Sequence, residues 1–218
     1  MKTDKAFTLA EVLVTLGIIG VVASMTMPML ISNTRKKEFS ARLSKFYSTM
    51  QQAVLMYNTQ HNMLPEDWET PENNSEAIEE FWKSHFAPYF KGVINEEQAK
   101  NEFTNWRNGI VINFNDGTKM SITRGGTIDI KFDVNGEKPP NISGRDRYIF
   151  LLNKGKFTPY TWTGDIKDMT PDDGGDAYST NLNDRSNVLR LCKHDSTFCS
   201  QLLLLDGWEY KDDYPRRI

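Results

Sequence analysis

The sequence predicts an α+β protein, in which one long N-terminal helix packs on an antiparallel β-sheet and a C-terminal extension follows. Apolar side chains recur at steps of three and four residues between Phe39 and Tyr57, as on one face of an amphipathic helix. Between Ile110 and Phe132, apolar residues alternate with polar ones, as in strands with one buried face. Because such a face must be covered, we expect the helix to cover it.

The helix is predicted to begin in an apolar segment. Residues 12–31 contain no charged side chain, and a run of that length is about what crosses the roughly 30 Å hydrocarbon core of a bilayer. The polar residues 33–38 include neither Gly nor Pro. A single helix is therefore predicted from Phe7 to about Gln60, roughly 80 Å long at 1.5 Å per residue. Gly20 and Pro28 weaken its apolar half.

Glu11 stands directly before this apolar run. A carboxylate at the edge of a membrane helix costs free energy, so it usually has a partner. From the physics alone, two interpretations stay open. Glu11 either marks the helix boundary at the lipid headgroups, or it pairs with a positive group and serves a function.

Residues 5–11, KAFTLAE, follow a short basic leader and lead into the apolar helix. This order resembles the N-terminal signal of type IV prepilins and type II secretion pseudopilins. The resemblance implies that prepilin peptidase cuts between Ala6 and Phe7, that Phe7 is then N-methylated, and that Glu11 is required for filament assembly. The family usually has Gly before the cut, where this chain has Ala6. The resemblance also implies that the helix can kink or unwind between Gly20 and Pro28.

A second resemblance lies far along the chain. Residues 133–136 form a D-x-N-G turn, which is followed by Pro140-Asn141, by the G-x-D segment 144–146 and by a predicted strand at 148–152. Pseudopilin-like proteins share this order of turns and an aromatic strand. The two matches together imply a pilin-like fold.

The resemblance divides the chain into four parts: a leader at 1–6, a membrane and polymerisation half of the helix at 7–31, an amphipathic half at 32–60, and a globular head at 61–218. It implies a single-pass membrane protein before assembly, with the leader in the cytoplasm and the head in the periplasm or outside the cell. Charge does not give this orientation, because Arg35, Lys36 and Lys37 follow the apolar segment and slightly favour the reverse.

Within the head, residues 77–89 are predicted to form a short helix, and residues 96–102 a further turn or two. Strands are expected at 110–114, 120–122, 128–132 and 148–152. Residues 188–205 are predicted to form one short helix around the two cysteines, and the tail at 210–218 is expected to be loose.

Two sites in the head have a possible chemistry. Cys192 and Cys199 predict a disulfide in an exported domain, because zinc would need two more ligands and His194 is the only candidate nearby. The polar segment 163–185 contains Asp172, Asp173 and Asp176, which are weak candidates for calcium, although such acidic loops are usually only solvated. No cofactor is otherwise expected.

The sequence contains no motif for an active site, and the three histidines, His61, His85 and His194, are isolated along the chain. The net charge of -3 is nearly balanced, so no nucleic acid partner is expected. The expected partners are other pilin or pseudopilin subunits, prepilin peptidase, the inner-membrane assembly platform and the membrane.

Three functions remain open. The first is a structural subunit of a type IV pilus-like or type II secretion pseudopilus filament. The second is a minor tip pilin whose head binds a secreted substrate, DNA or a surface, with Tyr160, Trp162, Trp208 and Tyr210 as candidate surface aromatics. The third is a signal-anchored enzyme, which the missing motifs disfavour.

Overall fold

The structure is a computed structural model that describes residues 8–98, 108–164, 166, 169, 171, 177–216 and 218. Its longest element is helix α1, Leu9–His61, with 53 residues. The helix ends at Asn62, whose φ of 51° is left-handed. The predicted single helix is confirmed, and it continues through Gly20 and Pro28.

Within the described residues, the β-sheet has six antiparallel strands, each paired with its neighbour in sequence. They are β1 (Val93–Gln98), β2 (Gly109–Phe114), β3 (Lys119–Arg124), β4 (Ile128–Asp133), β5 (Arg147–Asn153) and β6 (Lys156–Pro159). Strands β2 to β4 confirm the predicted three-stranded meander, and β5 confirms the predicted aromatic strand.

Strand β1 corrects the prediction of helical turns at 96–102. Residues 96–98 pair with β2, with Glu96 opposite Ile112 and Gln98 opposite Ile110. The glutamates favour a helix locally, but the free edge of β2 offers a ladder of backbone hydrogen bonds, and this tertiary contact decides. Residues 99–102 lie outside the described part of the chain.

The core lies between α1 and the sheet. The ring of Phe46 stacks on that of Phe132 at 3.9 Å between centroids and meets Phe150 edge-on at 5.4 Å. The predicted stripe of α1 is confirmed, since its buried residues are Phe39, Leu43, Phe46, Met50, Ala53, Val54 and Tyr57. A second helix, α2 (Ser75–His85), packs beside α1 and covers part of the same sheet. Helix α2 ends earlier than predicted, and a short 3₁₀ turn at Ala87–Tyr89 follows.

The C-terminal segment contains two helices where one was predicted. Helix α3 (Arg185–His194) and helix α4 (Cys199–Leu205) are separated by a 3₁₀ turn, Ser196–Phe198. Asp195 causes the break, because its side chain accepts a hydrogen bond from the Thr197 amide and so caps the new turn.

Candidate assembly site

The N-terminus of α1 is closed by a capping box. Thr8 is the N-cap, and its hydroxyl accepts a hydrogen bond from the Glu11 amide at 3.3 Å. In return, Oε2 of Glu11 accepts hydrogen bonds from the Thr8 amide at 2.8 Å and from the Thr8 hydroxyl at 2.9 Å. The T-x-x-E spacing is a known signal for this motif, so the sequence could have predicted it. Among the described residues, Oε1 of Glu11 has no hydrogen-bond partner.

The predicted cut between Ala6 and Phe7 lies outside the described residues, and it stays a prediction. Gly20 and Pro28 lie inside the continuous helix α1. A Cβ added at Gly20 would meet no atom of the described chain within 4 Å. The isolated subunit therefore gives no packing reason for glycine at this position, and the kink also stays a prediction.

The apolar half of α1 has nothing to pack against within the described chain. No residue of its most apolar stretch is buried, and this is the one helix in the described part long and apolar enough to cross a membrane. Its exposed side chains include Leu13, Ile18, Ile19, Met25 and Leu30. So large an apolar surface on one element requires a lipid or protein environment.

The D-x-N-G segment forms the joint between α1 and the head. Arg42 on α1 donates a hydrogen bond to the Val134 carbonyl at 2.6 Å. Next to it, Asp133 is buried and pairs with Arg147, with 2.8 Å between Oδ2 and Nε. Burial raises the pKa of the Asp133 carboxyl, although the hydrogen bond from Arg147 opposes that rise. The turn therefore fastens the helix to the β4–β5 connection.

The P-N and G-x-D residues complete the same joint. The buried carboxylate of Asp146 accepts hydrogen bonds from the amides of Asn141 at 2.8 Å and Ile142 at 2.6 Å. Gly144 has a φ of +74°, and a Cβ there would lie 3.0 Å from Sγ of Cys199. Only glycine suits this position without strain, because the backbone is left-handed and closely approached.

Two family models match the chain. One is described as "Family of unknown function (DUF6613)" and matches residues 29–218, and the other is the prokaryotic N-terminal methylation motif, which matches residues 1–27. The chain belongs to the family DUF6613. Its N-terminus also makes it a prepilin-type cleavage and methylation protein, a pilin- or pseudopilin-like precursor. Neither the curated proteins nor the solved structures give a match.

The two matches meet at Pro28. The methylation motif covers the leader and most of the exposed half of α1, whereas the DUF6613 match covers the buried half and the head. The pilin-like class to which the motif points is structural, and its precursors are processed by a peptidase and assemble with other subunits. One apolar helix near the N-terminus is consistent with a single-pass membrane anchor.

The tail of this DUF6613 head is packed, so the prediction of a loose tail is wrong. Tyr210 is buried, and its hydroxyl lies 2.7 Å from that of Tyr148. Tyr214 donates a hydrogen bond to the Gly144 carbonyl at 2.5 Å. Ile218 is also buried, and its carbonyl accepts a hydrogen bond from Ser32 on α1 at 3.1 Å. The sequence gives no local sign of this packing, because each contact joins segments far apart in the chain.

An arginine clamp holds the start of α3 to the tail. Arg185 donates to both oxygens of Asp206, at 2.5 and 2.9 Å, and to both oxygens of Asp213, at 2.8 and 2.7 Å. Lys211 contacts Asp206 as well, at 2.8 Å. Burial raises the pKa of the Asp206 carboxyl, but the hydrogen bonds from Arg185 and Lys211 outweigh burial and lower it overall. Nothing in the sequence predicted that these four residues contact one another.

The predicted disulfide between Cys192 and Cys199 is confirmed, and both cysteines are buried. It joins the end of α3 to the start of α4. Among the described residues, no group of three or more His, Cys, Asp or Glu side chains could hold a metal. Asp172, Asp173 and Asp176 lie outside the described residues, so the calcium expectation stays a prediction.

Two further expectations about side chains need correction. Of the candidate surface aromatics, Trp208 and Tyr210 are buried and so serve packing, whereas Trp162 is exposed. His61 and His85 are not isolated in space, because both pack on the ring of Tyr57, at 4.5 and 4.3 Å between ring centroids. Burial lowers the pKa of His85, and a hydrogen bond to the Phe81 carbonyl partly opposes this. Tyr57 belongs to the core between α1 and α2, whereas His85 is half-buried at its edge and His61 is exposed.

Proposed function

We propose that this chain is a structural subunit of a type IV pilus-like or type II secretion pseudopilus filament. Prepilin peptidase cleaves it between Ala6 and Phe7, and it assembles by packing of its N-terminal helix. One observation carries the proposal. A single helix, α1, buries its second half in the head and leaves an apolar first half exposed. Such a subunit can exchange lipid for the helices of other subunits without refolding its head.

Glu11 sets the register of assembly in this proposal. Cleavage before Phe7 creates a positive amine four residues from the carboxylate, near the edge of the membrane. In a staggered stack of parallel helices, the amine of an incoming subunit meets Glu11 of a subunit already in the filament. The capping box engages only Oε2 with described residues, so Oε1 can accept the amine while Thr8 keeps the carboxylate in place.

Between packed helices, this pair of charges lies in surroundings of low dielectric constant, where an unpaired charge is costly. Removing one partner of a buried ion pair typically costs about 3–5 kcal/mol, because the other charge is left without compensation. Only one axial offset between subunits satisfies both groups. A wrong register is therefore penalised by a factor of about 100 or more, at about 1.4 kcal/mol per factor of ten.

The proposal places the leader in the cytoplasm and the head in the periplasm or outside the cell. Before assembly the membrane holds the subunit, and an inner-membrane assembly platform passes it into the filament. The head then lies on the outer surface of the filament, where it contacts other subunits. No cofactor takes part in this cycle.

Mass spectrometry of the N-terminal peptide tests the processing step. Removal of six residues from 218 leaves 212 (218 − 6), beginning with an N-methylated Phe7. A mature chain that begins at Met1, or beyond Ser24, would contradict the prepilin interpretation.

Fractionation of host cells tests the assembly step. Glu11→Ala and Glu11→Gln should leave membrane insertion and cleavage intact, while they reduce incorporation into filaments. Thr15→Ala is the matched control, since it changes a polar residue one turn further along α1 and removes no charge. If Glu11→Ala assembles as well as Thr15→Ala, the pairing of amine and carboxylate does not operate in this protein.

A second candidate is a minor tip subunit whose head binds a secreted substrate, DNA or a surface. The C-terminal extension favours it, because the segment after β6 forms two small apolar clusters of its own beside the main core. A head larger than the sheet requires is expected of a specialised subunit. The abundance of the chain in sheared filaments separates the two: a tip subunit occurs in few copies for each filament, and a main subunit along its whole length.

A further inference from the structure

A groove with aromatic walls runs beside α1. It lies between that helix, the turn joining β2 to β3 and the 3₁₀ turn at Ala87–Tyr89, and it encloses about 320 Å³. Its apolar lining consists of five aromatic rings, those of Phe46, Tyr89, Phe90, Phe114 and Phe132. This volume is at the lower end of the range for pockets that hold small ligands, and it suits one large side chain.

The rim of the groove is positively charged. Arg42, Lys45 and Lys91 line it. Asp116 pairs with Lys45 at 3.2 Å, and Glu38 on α1 pairs with Arg42 at 2.8 Å, which leaves the charge of Lys91 without compensation. The exposed Lys91 has no hydrogen bond or ion pair with the described residues. Aromatic walls below a cationic rim favour a ligand that is planar and apolar and belongs to an acidic segment.

Trp162 on the same chain has these properties. Its side chain is 52% exposed, whereas the other tryptophans of the described part, Trp68, Trp82 and Trp208, are buried. The sequence from 163 to 184 that follows contains six aspartates and one lysine. Tryptophan is enriched at the centres of protein interfaces, so a largely exposed one beside an acidic segment is an unusual surface feature.

Trp162 and the groove lie on different parts of the head. Trp162 follows β6, which is the last strand of the sheet, whereas the groove is lined by residues of α1, of the segment before β1, of β2 and its connection to β3, and of β4. Trp162 does not line the groove of its own chain.

We propose that Trp162 of one subunit inserts into the aromatic groove beside α1 of a second copy of this chain. The indole ring packs against the aromatic walls, and the uncompensated charge of Lys91 attracts the acidic sequence that follows Trp162. The inference rests on the proposed function, since it supplies a head-to-head contact within the filament.

The geometry of this contact suits a filament. The inserting residue and the accepting groove are different surfaces, so the contact is heterologous. After two subunits bind, the pair still has one free groove, on the subunit whose Trp162 is inserted, and one free Trp162, on the subunit whose groove is filled. A heterologous contact continues into an open helical array when its rotation does not close a ring, as packing of the N-terminal helices also requires.

Photocrosslinking in filaments of the full chain tests the contact. p-Benzoylphenylalanine in place of Trp162 should yield a crosslinked dimer, and mass spectrometry should map the crosslink to peptides that contain Lys45, Lys91 or Thr118. The same photoreactive residue in place of Leu64 is the matched control. Leu64 is 56% exposed and lies beyond the end of α1, away from the groove, so it should give little or none of this product.

A charge reversal in the groove gives a second readout. Lys91→Glu should reduce the crosslinked dimer about fivefold or more, whereas Lys91→Arg should preserve it. Both changes are at an exposed side chain, so neither is expected to unfold the head. Equal yields from the two variants would overturn the electrostatic part of the contact and with it the proposal.

The outcomes separate this inference from the proposed function. If filaments contain the chain with Phe7 at its N-terminus, but position 162 crosslinks to another protein, to lipid, to a different surface or to nothing, the docking contact is wrong and the proposed function stands. If no filament contains the chain, both are wrong.

Discussion

Arg185→Ala should destabilise the head by about 2–3 kcal/mol, because it removes the centre of the clamp between α3 and the tail. Hydrogen bonds to charged groups contribute about 1.5–3 kcal/mol each, but bonds that share one guanidinium do not add fully. Arg185 is 33% exposed, which weakens its bonds further, whereas the Asp206 side chain is fully shielded. The truncation leaves that carboxylate with Lys211 as its remaining cation.

The two halves of the clamp should differ in strength. Asp213 is 47% exposed, so its pair with Arg185 is worth about 0.2–1 kcal/mol, and Asp213→Asn is the matched control. Arg185→Lys should lie between the two, since an ammonium cannot reproduce the planar, bidentate contact. Urea unfolding of the full chain in detergent micelles, followed by tryptophan fluorescence, measures these differences. At a slope of about 2 kcal/mol/M, the Arg185→Ala midpoint should fall by about 1–1.5 M.

Acid should remove the contribution of the clamp to the free energy of unfolding. Hydrogen bonds from Arg185 lower the pKa of Asp213, and they outweigh burial at Asp206, so both carboxyls have a folded pKa below their unfolded value of about 4. Their contribution is present above that unfolded value and is lost as the pH falls through the folded pKa. The gap between wild type and Arg185→Ala should therefore be full at pH 7 and narrow below about pH 4. An Arg185→Ala midpoint no lower than that of Asp213→Asn, or a gap that widens in acid, would refute the argument.

Three further changes probe the helix, the disulfide and the core. Thr8→Ala removes the hydroxyl of the capping box but keeps the charge of Glu11. It should weaken filament incorporation by about 1 kcal/mol, or roughly fivefold. In the same fractionation, Glu11→Gln should have a far larger effect. Cys192→Ala combined with Cys199→Ala should lower the free energy of unfolding by about 2.5 kcal/mol, measured by urea unfolding, because the disulfide closes a loop of only eight residues in the unfolded chain. Phe46→Ala should cost about 3–5 kcal/mol in the same assay, because the ring contacts Phe132 and other core rings; a loss below 1 kcal/mol would show that the stripe of α1 does not hold the head.

The sequence predicted those parts of the fold that depend on local pattern. The periodic stripe from Phe39 to Tyr57 gave the amphipathic half of α1, and the alternation from Ile110 to Phe132 gave three central strands. Both patterns arise because one face of each element is buried, so the chemistry of the partner does not need to be known. The disulfide was also predictable, since a pair of cysteines in an exported domain has few alternatives.

The remaining parts depend on contacts that no local pattern contains. Residues 96–98 are polar and helix-forming, and only the open edge of β2 makes them a strand. The tail is packed because Tyr210 contacts Tyr148 on β5, Tyr214 bonds to Gly144 in the β4–β5 connection and Ile218 bonds to Ser32 on α1. In each case the decisive partner lies outside the local sequence pattern, at least 12 residues away for the pairs of β1 and at least 62 residues away for the tail.

The candidate site also has parts that the sequence predicts and parts that only the structure shows. The motif around Glu11 could be identified from consecutive residues, and so could its T-x-x-E cap. The aromatic groove could not, because Phe46, Phe90 and Phe114 come from three different elements. The resemblance at residues 133–152 identified an important segment from the sequence. Only the structure shows that Asp133 and Asp146 in this segment hold the β4–β5 connection together by hydrogen bonds.

Ser32 lies on α1 between Glu11 and the head, the two parts of the chain on which the proposed mechanism depends. Its bond to Ile218 is the head's contact nearest to the exposed part of α1, which comprises residues 9–31. At 1.5 Å per residue this part is about 35 Å long, close to the roughly 30 Å thickness of the hydrocarbon core. No flexible linker separates it from the head, because α1 is continuous through residue 32. In the proposed mechanism, a register set at Glu11 is transmitted along this continuous helix to the head, where it fixes the axial position of Trp162 against the groove of the next subunit. Misplacing a subunit by one helical turn, about 5.4 Å, would break the pairing at Glu11 and the contact at Trp162 together.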